Sequence, residues 1–282
     1  MATNKKTYSL TPFVKWAGGK RQLLPKLTER LPRTFNHYFE PFIGGGALYF
    51  ELQPENATIN DINQSLINAY KQIKGSPEDT INSLRKIDDQ YENAEDKKAF
   101  YYSKREEYNQ TLNENSQDSR SAALLIYVNK HCFNGLYRVN SKGAFNVPFN
   151  NSTSGSYSEE NILAVSNALK NTKIVAGDFE EIALEAKQGD FVFFDSPYAP
   201  LNPTSFESYT KQGFSKEDHE RLAALFQRLS ERGCYCMLTN HNTLFIRELY
   251  KDYNVEEVSV RRSINSDATK RRGREVIVRN YE

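Results

Sequence analysis

YFEPFIGGGALYFEL, residues 38–52, followed by ATINDI, residues 57–62, decides the architecture of this chain. Each stretch opens on an apolar run and closes on turn or acidic residues, and a helical pattern follows through about Lys74. The order is strand, glycine loop, helix, strand, the opening of an α/β sheet. Glycines directly after a strand let the backbone approach a ligand at the sheet edge where open α/β folds bind them. A dinucleotide site calls for G-x-G-x-x-G, which Gly44-Gly45-Gly46 does not supply, so binding of NAD is not expected. Asp61, at the end of the second strand, can accept hydrogen bonds from a ribose. The pair fits an adenosine without a pyrophosphate, and it fits equally a tight turn followed by a surface aspartate.

Working outward, the pattern changes between residues 75 and 160 to long polar helices, one apolar helix (SAALLIYVNK, 121–130) and a Gly/Asn-rich segment. This reads as an inserted unit, flanked by a catalytic domain made of residues 1–74 and 161–282. Strand and helix then alternate again through KIVAGDF (173–179), DFVFFDSPY (190–198), a helix from Ser215, CYCMLTN (234–240), a second short helix, NVEEVSV (254–260) and EVIVRNY (275–281). Ser215 with Asp218 forms a capping box, and Gly233 stops that helix. The last two strands have no helix between them and are expected to pair antiparallel. Their connection, RRSINSDATKRRGR (261–274), is the most basic segment of the chain, suited either to phosphate contact or to a solvated hairpin tip.

Composition narrows the class. With 282 residues, 38% apolar and 26% charged, the chain is of ordinary globular type. It has no uninterrupted apolar run of about 18 residues, and MATNKKTYSL lacks an apolar signal core, so neither a membrane span nor secretion is expected and the cytoplasm is the default location. Three cysteines, Cys132, Cys234 and Cys236, and four scattered histidines offer no ligand spacing, and no metal is expected. The net charge of +1 neither indicates nor excludes a polyanionic partner.

Asp195-Ser196-Pro197-Tyr198 follows the apolar strand FVFF at the carboxyl edge of the sheet. The exocyclic amine of a nucleobase is a poor nucleophile, because its lone pair is delocalised into the ring. A carboxylate and a neighbouring backbone carbonyl that both accept its N–H bonds favour the pyramidal amine that develops as an electrophile arrives. Asp195 and the carbonyl of Ser196 suit these roles, and Tyr198 can stack on a base rotated out of a duplex. Standing alone, the tetrapeptide is also an ordinary exit turn after a strand.

FVKWAGGK (13–20), FEPFIGGG, NDIN, FNGLYRVNSKGAFNVPF (133–149), GDF and DSPY occur in an order that resembles the Dam-type DNA adenine methyltransferases of the alpha group, over nearly the whole chain. The resemblance implies a Rossmann-like class I methyltransferase fold, an α/β architecture with a mixed seven-stranded sheet and an inserted helical target-recognition domain. It implies S-adenosylmethionine as methyl donor and duplex DNA, with the site GATC, as substrate. Carried over residue by residue, Trp16 and Lys20 contact the donor, Asp61 binds the ribose and Asp178 lies beside the donor's adenine ring; Phe42 and Gly44, in the glycine segment after the first strand, are read as framing the donor with them. Asp195 is the catalytic acid next to the donor. Arg138 matches an arginine that reads a base edge and Lys15 a lysine on the outer base pair. Asn134, Tyr137, Asn140 and Lys142 fall on or near the same segment, whose alternation around Ser-Lys-Gly signals a hairpin able to enter a major groove. Enzymes of this family act beside a cognate restriction endonuclease or as solitary regulators of DNA.

Two positions depart from the family pattern. Ser196 stands where the first proline of Asp-Pro-Pro-Tyr is expected, so the loop loses the φ restraint of proline. Asn150-Asn151 follows NVPF where relatives carry Gly-Arg. Ser196 motivates an alternative, a catalytically impaired DNA-binding protein of the same fold. A further alternative takes RNA or a protein glutamine as methyl acceptor, since similar tetrapeptides serve those substrates.

Overall fold

The computed structural model of the chain describes residues 10–16, 20, 22–201, 213–261 and 272–282. Residues 262–271 of the basic segment read above as either a phosphate contact or a hairpin tip fall outside the described residues. In chain order the strands are β1 (Tyr38–Glu40), β2 (Ala57–Asp61), β3 (Thr172–Ala176), β4 (Phe191–Phe194), β5 (Tyr235–His241), β6 (Asn254–Arg261) and β7 (Arg272–Arg279). They form one mixed seven-stranded sheet in the order β3-β2-β1-β4-β5-β7-β6. β1 runs parallel to both β2 and β4, and β4 runs parallel to β5. β7 is antiparallel to both β5 and β6, as expected of two strands with no helix between them. Tyr38–Glu40 and Phe191–Phe194 are buried at every position, the signature of strands covered on both faces. Because β2 and β4 flank β1 on opposite sides, the sheet has a switch point between β1 and β4, where open α/β sheets bind ligands beyond the carboxyl ends.

The helices are α1 (Leu24–Thr28), α2 (Ala47–Leu52), α3 (Gln64–Gly75), α4 (Pro77–Glu92), α5 (Lys97–Asn113), α6 (Ser119–His131), α7 (Glu159–Ala168), α8 (Phe179–Ala183), α9 (Lys216–Glu231) and α10 (Leu244–Leu249). None among the described residues is long and apolar enough to cross a membrane. The chain forms two compact units. One contains Met1–Gly19, Gly44–Gln53 and Asn63–Ala176, and the other Lys20–Ile43, Pro54–Ile62 and Gly177–Glu282.

In the first unit α6 is the centre. Ala122 to Val128 are all buried, which explains why its sequence is apolar without a helical stripe. α3, α5 and α6 begin at side-chain caps: Asn63 accepts from the Leu66 N–H at 2.9 Å, Asp96 from Ala99 at 2.9 Å, and Asp118 forms a capping box with Ser121. α4 starts on Pro77, with Glu78 and Asp79 in its first turn, where the helix dipole favours negative charge.

The hairpin expected around Ser141-Lys142-Gly143 forms: Val139 pairs antiparallel with Phe145, and the N–H groups of Asn140 and Asn146 donate to the carbonyls of Ala144 and Arg138 at 2.9 and 3.2 Å. A further antiparallel bridge joins Cys132 to Phe149. Ahead of the hairpin Asn134 and Gly135 adopt left-handed backbone, φ +57° and +63°, in a short 3-10 turn. Asn150 and Asn151, the second departure from the family pattern, shape the exit. The Asn150 amide donates to the Lys130 carbonyl at 3.0 Å, its side-chain oxygen accepts from Ser152 N–H at 2.7 Å, and Asn151 is left-handed at φ +58°.

In the second unit α9 carries the capping box read from the sequence, Ser215 with Asp218, and ends at Gly233, φ +84°. Its buried stripe Leu222, Leu225, Phe226 and Leu229 repeats at helical spacing and supplies core.

Candidate active site

Within the second unit the carboxyl end of β4 delivers Asp195, Ser196, Pro197 and Tyr198, and the neighbouring end of β5 delivers Thr239, Asn240 and His241. The two ends are tied residue by residue. The Thr239 hydroxyl donates to Asp195 Oδ1 at 2.9 Å, and the Ala199 N–H donates to the Asn240 side-chain oxygen at 2.8 Å. His241 Nδ1 lies 2.7 Å from the Ala199 carbonyl oxygen, and the Asn240 amide approaches Ser196 Oγ at 3.5 Å. Ser196 is buried, while Pro197 faces outward. The loop that lacks the family's first proline is thus held from β5 instead.

Lys20 lies inside this cluster. Only 6% of its side chain is exposed, and its ammonium sits 2.6 Å from Asp195 Oδ1. The same ammonium is 4.5 Å from the centroid of the Tyr198 ring, within cation–π range. Burial pushes the Asp195 carboxyl above the ordinary carboxylate range, while the Lys20 charge and the Thr239 hydroxyl pull it back down. Burial also raises the Tyr198 hydroxyl, with the charges of Asp195 and Glu275 adding to the effect, so it stays protonated. The Lys20 and Thr239 contacts to Asp195 both fall on Oδ1.

An aromatic group lies at the ends of β1 and α8. Phe42 stacks on Phe179 with centroids 5.1 Å apart, and Phe214 meets Phe42 at 5.7 Å and Phe179 at 5.6 Å. Beside it Asp178 caps α8 by accepting the Glu180 N–H at 2.9 Å. Arg221 on α9 grips both oxygens of Asp178, at 3.0 and 2.9 Å, and its guanidinium lies 4.3 Å from the Phe179 ring centroid. At the end of β2 the Asp61 carbonyl accepts the Gly177 N–H at 3.3 Å, which sets Asp61 next to the turn that carries Asp178. Aromatic faces flanked by two carboxylates match a purine nucleoside, with ring faces for the base and oxygens for its amine and for ribose hydroxyls. Among the described residues no group of three or more His, Cys, Asp or Glu is placed to hold a metal ion.

The first unit carries the remaining expected residues. Gly44 has φ +47°, and a Cβ there would stand 2.9 Å from Trp16 Cδ1, so only glycine admits the indole. Trp16 in turn stacks on Tyr137, centroids 4.9 Å apart at 25°. Buried Asn129 pins the backbone of Lys15 in both directions, accepting its N–H and donating to its carbonyl, each at 2.8 Å, and donates also to the Gly135 carbonyl at 3.2 Å. A Cβ on Gly135 would stand 2.5 Å from Lys15 Cβ. Lys15 is therefore fixed beside the loop that presents Asn134 and Arg138, both exposed. Arg138 Nε donates to the Asn146 side-chain oxygen at 2.8 Å, and the Asn140 side chain closes the turn by accepting from the N–H groups of Lys142 and Ala144 at 2.9 and 3.1 Å.

A family model described as D12 class N6 adenine-specific DNA methyltransferase matches residues 16–264. The chain belongs to this family. It is 44% identical over 283 residues to the type II methyltransferase M1.LlaDCHI of Lactococcus lactis subsp. cremoris, covering 98% of each chain. To the type II methyltransferase M.MjaIII of Methanocaldococcus jannaschii it is 40% identical over 286 residues, covering 96% of this chain and 99% of the relative. To the DNA adenine methylase of Escherichia coli it is 32% identical over 262 residues, covering 92% and 91%. The DNA methyltransferases of this family take their methyl group from S-adenosylmethionine, and the aromatic and carboxylate groups around Phe42, Asp61 and Asp178 fit its adenosyl part. Thr239, Asn240, His241, Arg221, Phe214 and Glu275 touch these groups and do not stand out in the sequence. For the first three the signal was available, since TNH closes the strand beside FVFFDSPY.

Proposed function

We propose that this DNA methyltransferase modifies the adenine of GATC in duplex DNA, acting on a base rotated out of the helix, with Asp195, Ser196, Pro197 and Tyr198 as its reaction centre. The observation that carries this reading is the arrangement around Asp195. One oxygen is neutralised by Lys20 and Thr239, the other is left for an amine N–H, and an aromatic ring three residues on is fixed at its far end. S-adenosylmethionine, when bound, supplies a methyl group on a positively charged sulfur, which the amine nitrogen takes with its lone pair as the carbon–sulfur bond breaks. Asp195 Oδ2 and the Ser196 carbonyl accept the two N–H bonds of the amine and favour its pyramidal form. Once methylated, the nitrogen is acidic, and a proton leaves by way of Asp195 Oδ2 to water. Tyr198 stacks on the displaced base, which repays part of the cost of unstacking.

Trp16, Lys20, Phe42, Gly44, Asp61 and Asp178 are assigned to the donor, with Lys20 acting through Asp195 as well. Lys15, Asn134, Tyr137, Arg138, Asn140 and Lys142 are assigned to DNA. Residues 75–160 form the target-recognition domain between the two parts of the catalytic domain, 1–74 and 161–282. The hold of Asn240 on Ser196 and Ala199 favours an active enzyme over an impaired DNA-binding protein. The names of two relatives as type II methyltransferases support a pairing with an endonuclease that cuts the same unmethylated site.

The direct test is protection. Plasmid DNA incubated with the chain and donor is challenged with one nuclease that cuts only unmethylated GATC and another that cuts only the adenine-methylated site. Resistance to the first and sensitivity to the second is the expected result. Unchanged cleavage by both, with methyl transfer found at another sequence, contradicts the assignment of the site.

A further inference from the structure

The Tyr198 ring is restrained on three sides inside its own unit. Its edge meets His241 with centroids 4.8 Å apart at 74°, the Lys20 ammonium sits 4.5 Å from its centroid, and its hydroxyl donates to Glu275 Oε2 at 2.9 Å. Glu275 belongs to β7, where it stands opposite His241 on one side and Val258 on the other, so two ladders fix its backbone. We propose that Glu275 is a positioning residue that acts through Tyr198, holding the ring in the one orientation in which it stacks on the target base while Asp195 receives the amine. The inference rests on the reading of Tyr198 as the stacking residue. It names the group that keeps the ring there.

The physical case is one of pre-organisation. A tyrosine ring held only at Cβ turns about two torsions, and each turn carries its face away from the base. A hydrogen bond at the para hydroxyl restrains the point farthest from both torsions. A carboxylate makes that bond roughly twice as strong as a neutral acceptor does. The hydroxyl is held protonated by burial, so the pair is a donor and an acceptor rather than two anions. The acceptor comes from a strand 77 residues further along the chain, which ties the tetrapeptide to the antiparallel part of the sheet as well as to β5.

The experiment uses the full chain, duplexes with adenine or with fluorescent 2-aminopurine at the target position, and the variants Glu275→Ala, Glu275→Gln, Tyr198→Phe and Tyr198→Ala. Glu275→Ala is expected to lower kcat about tenfold, the effect of one charge-assisted hydrogen bond, with KM for S-adenosylmethionine unchanged and the 2-aminopurine signal altered. Glu275→Gln, whose amide oxygen still accepts, is expected to recover most of the rate. Tyr198→Phe breaks the same bond without touching β7 and is expected to reproduce the loss, and adding Glu275→Ala to it should cost nothing more. An unaltered rate and 2-aminopurine signal in Tyr198→Phe, or equal further losses from Glu275→Ala in both backgrounds, overturns the inference. If Tyr198→Ala leaves rate and fluorescence as in the parent, the stacking reading itself has failed. If it abolishes them while Glu275→Ala and Tyr198→Phe do nothing, only the role of Glu275 has.

Discussion

The Lys20 ammonium lies 2.6 Å from Oδ1 of Asp195, with 6% and 19% of the two side chains exposed. A carboxylate that must accept N–H bonds works only when ionised, and burial opposes ionisation. Lys20 offsets that effect. Lys20→Met should therefore move the acidic limb of the pH–activity profile to higher pH, because burial, which raises the Asp195 pKa, is then opposed only by the Thr239 hydroxyl. Breaking a buried pair on one side should also cost on the order of 3 kcal/mol of stability. Rate profiles between pH 5 and pH 9 for both proteins check this, and an acidic limb that stays in place contradicts it.

Arg221 binds both oxygens of Asp178 and lies against Phe179. The guanidinium sets the carboxylate plane, so its removal frees Asp178 to rotate away from an adenine amine. Arg221→Ala is expected to weaken binding of S-adenosylhomocysteine about tenfold, with the midpoint of thermal unfolding little changed. Calorimetric titration gives the number, and an unchanged affinity separates Asp178 from the donor site.

Arg138 is exposed, and Asn146 steadies its guanidinium by accepting from Nε at 2.8 Å. If its outer nitrogens reach a base edge, Arg138→Ala should reduce discrimination between GATC and a one-base variant by about 1 to 3 kcal/mol. The comparison is kcat/KM on the two duplexes. A loss of equal size on both would make Arg138 a phosphate contact instead.

Two buried histidines give the fold a pH signature. Burial lowers His131 and His219 from 6.5 to about 4. The unfolded chain then binds more protons between those values, so stability rises with pH through that window and is lost as pH falls from about 6.5 towards 4. The limiting effect is on the order of 3 kcal/mol for each histidine. Asp88, raised by burial, acts in the opposite sense and trims the loss at the acidic end. Urea unfolding at pH 7 and pH 4.5 should show the drop, and His131→Phe should reduce it. Equal stability at both values contradicts the account.

Much of the fold was legible because its signals are local. The glycine loop, the capping box at Ser215, the apolar runs of β4 and β5 and the uninterrupted β6–β7 pair each follow from a few adjacent residues. The hairpin around Ser141-Lys142-Gly143 was legible in the same way, whereas the turn ahead of it was not, because alternation does not register the left-handed backbone of Asn134 and Gly135. At the candidate site, Asp195 and Tyr198 stood out for their chemistry. Of their supports, Thr239 and Asn240 carry only the signal of closing the next strand, and Glu275 becomes a neighbour only through the pairing of β5 with β7. Arg221 was hidden in the same way. Its contact with Asp178 depends on how α9 lies against α8, which no spacing in the sequence encodes.

The most direct measurement is single-turnover transfer of labelled methyl from S-adenosylmethionine to duplexes holding GATC or a one-base variant, with the parent chain and Asp195→Asn, followed by nucleoside analysis of the product. The account predicts label in N6-methyladenine from the GATC duplex alone and a loss of about a hundredfold or more in Asp195→Asn. Transfer of equal rate to both duplexes, or an Asp195→Asn protein as fast as the parent, would contradict it.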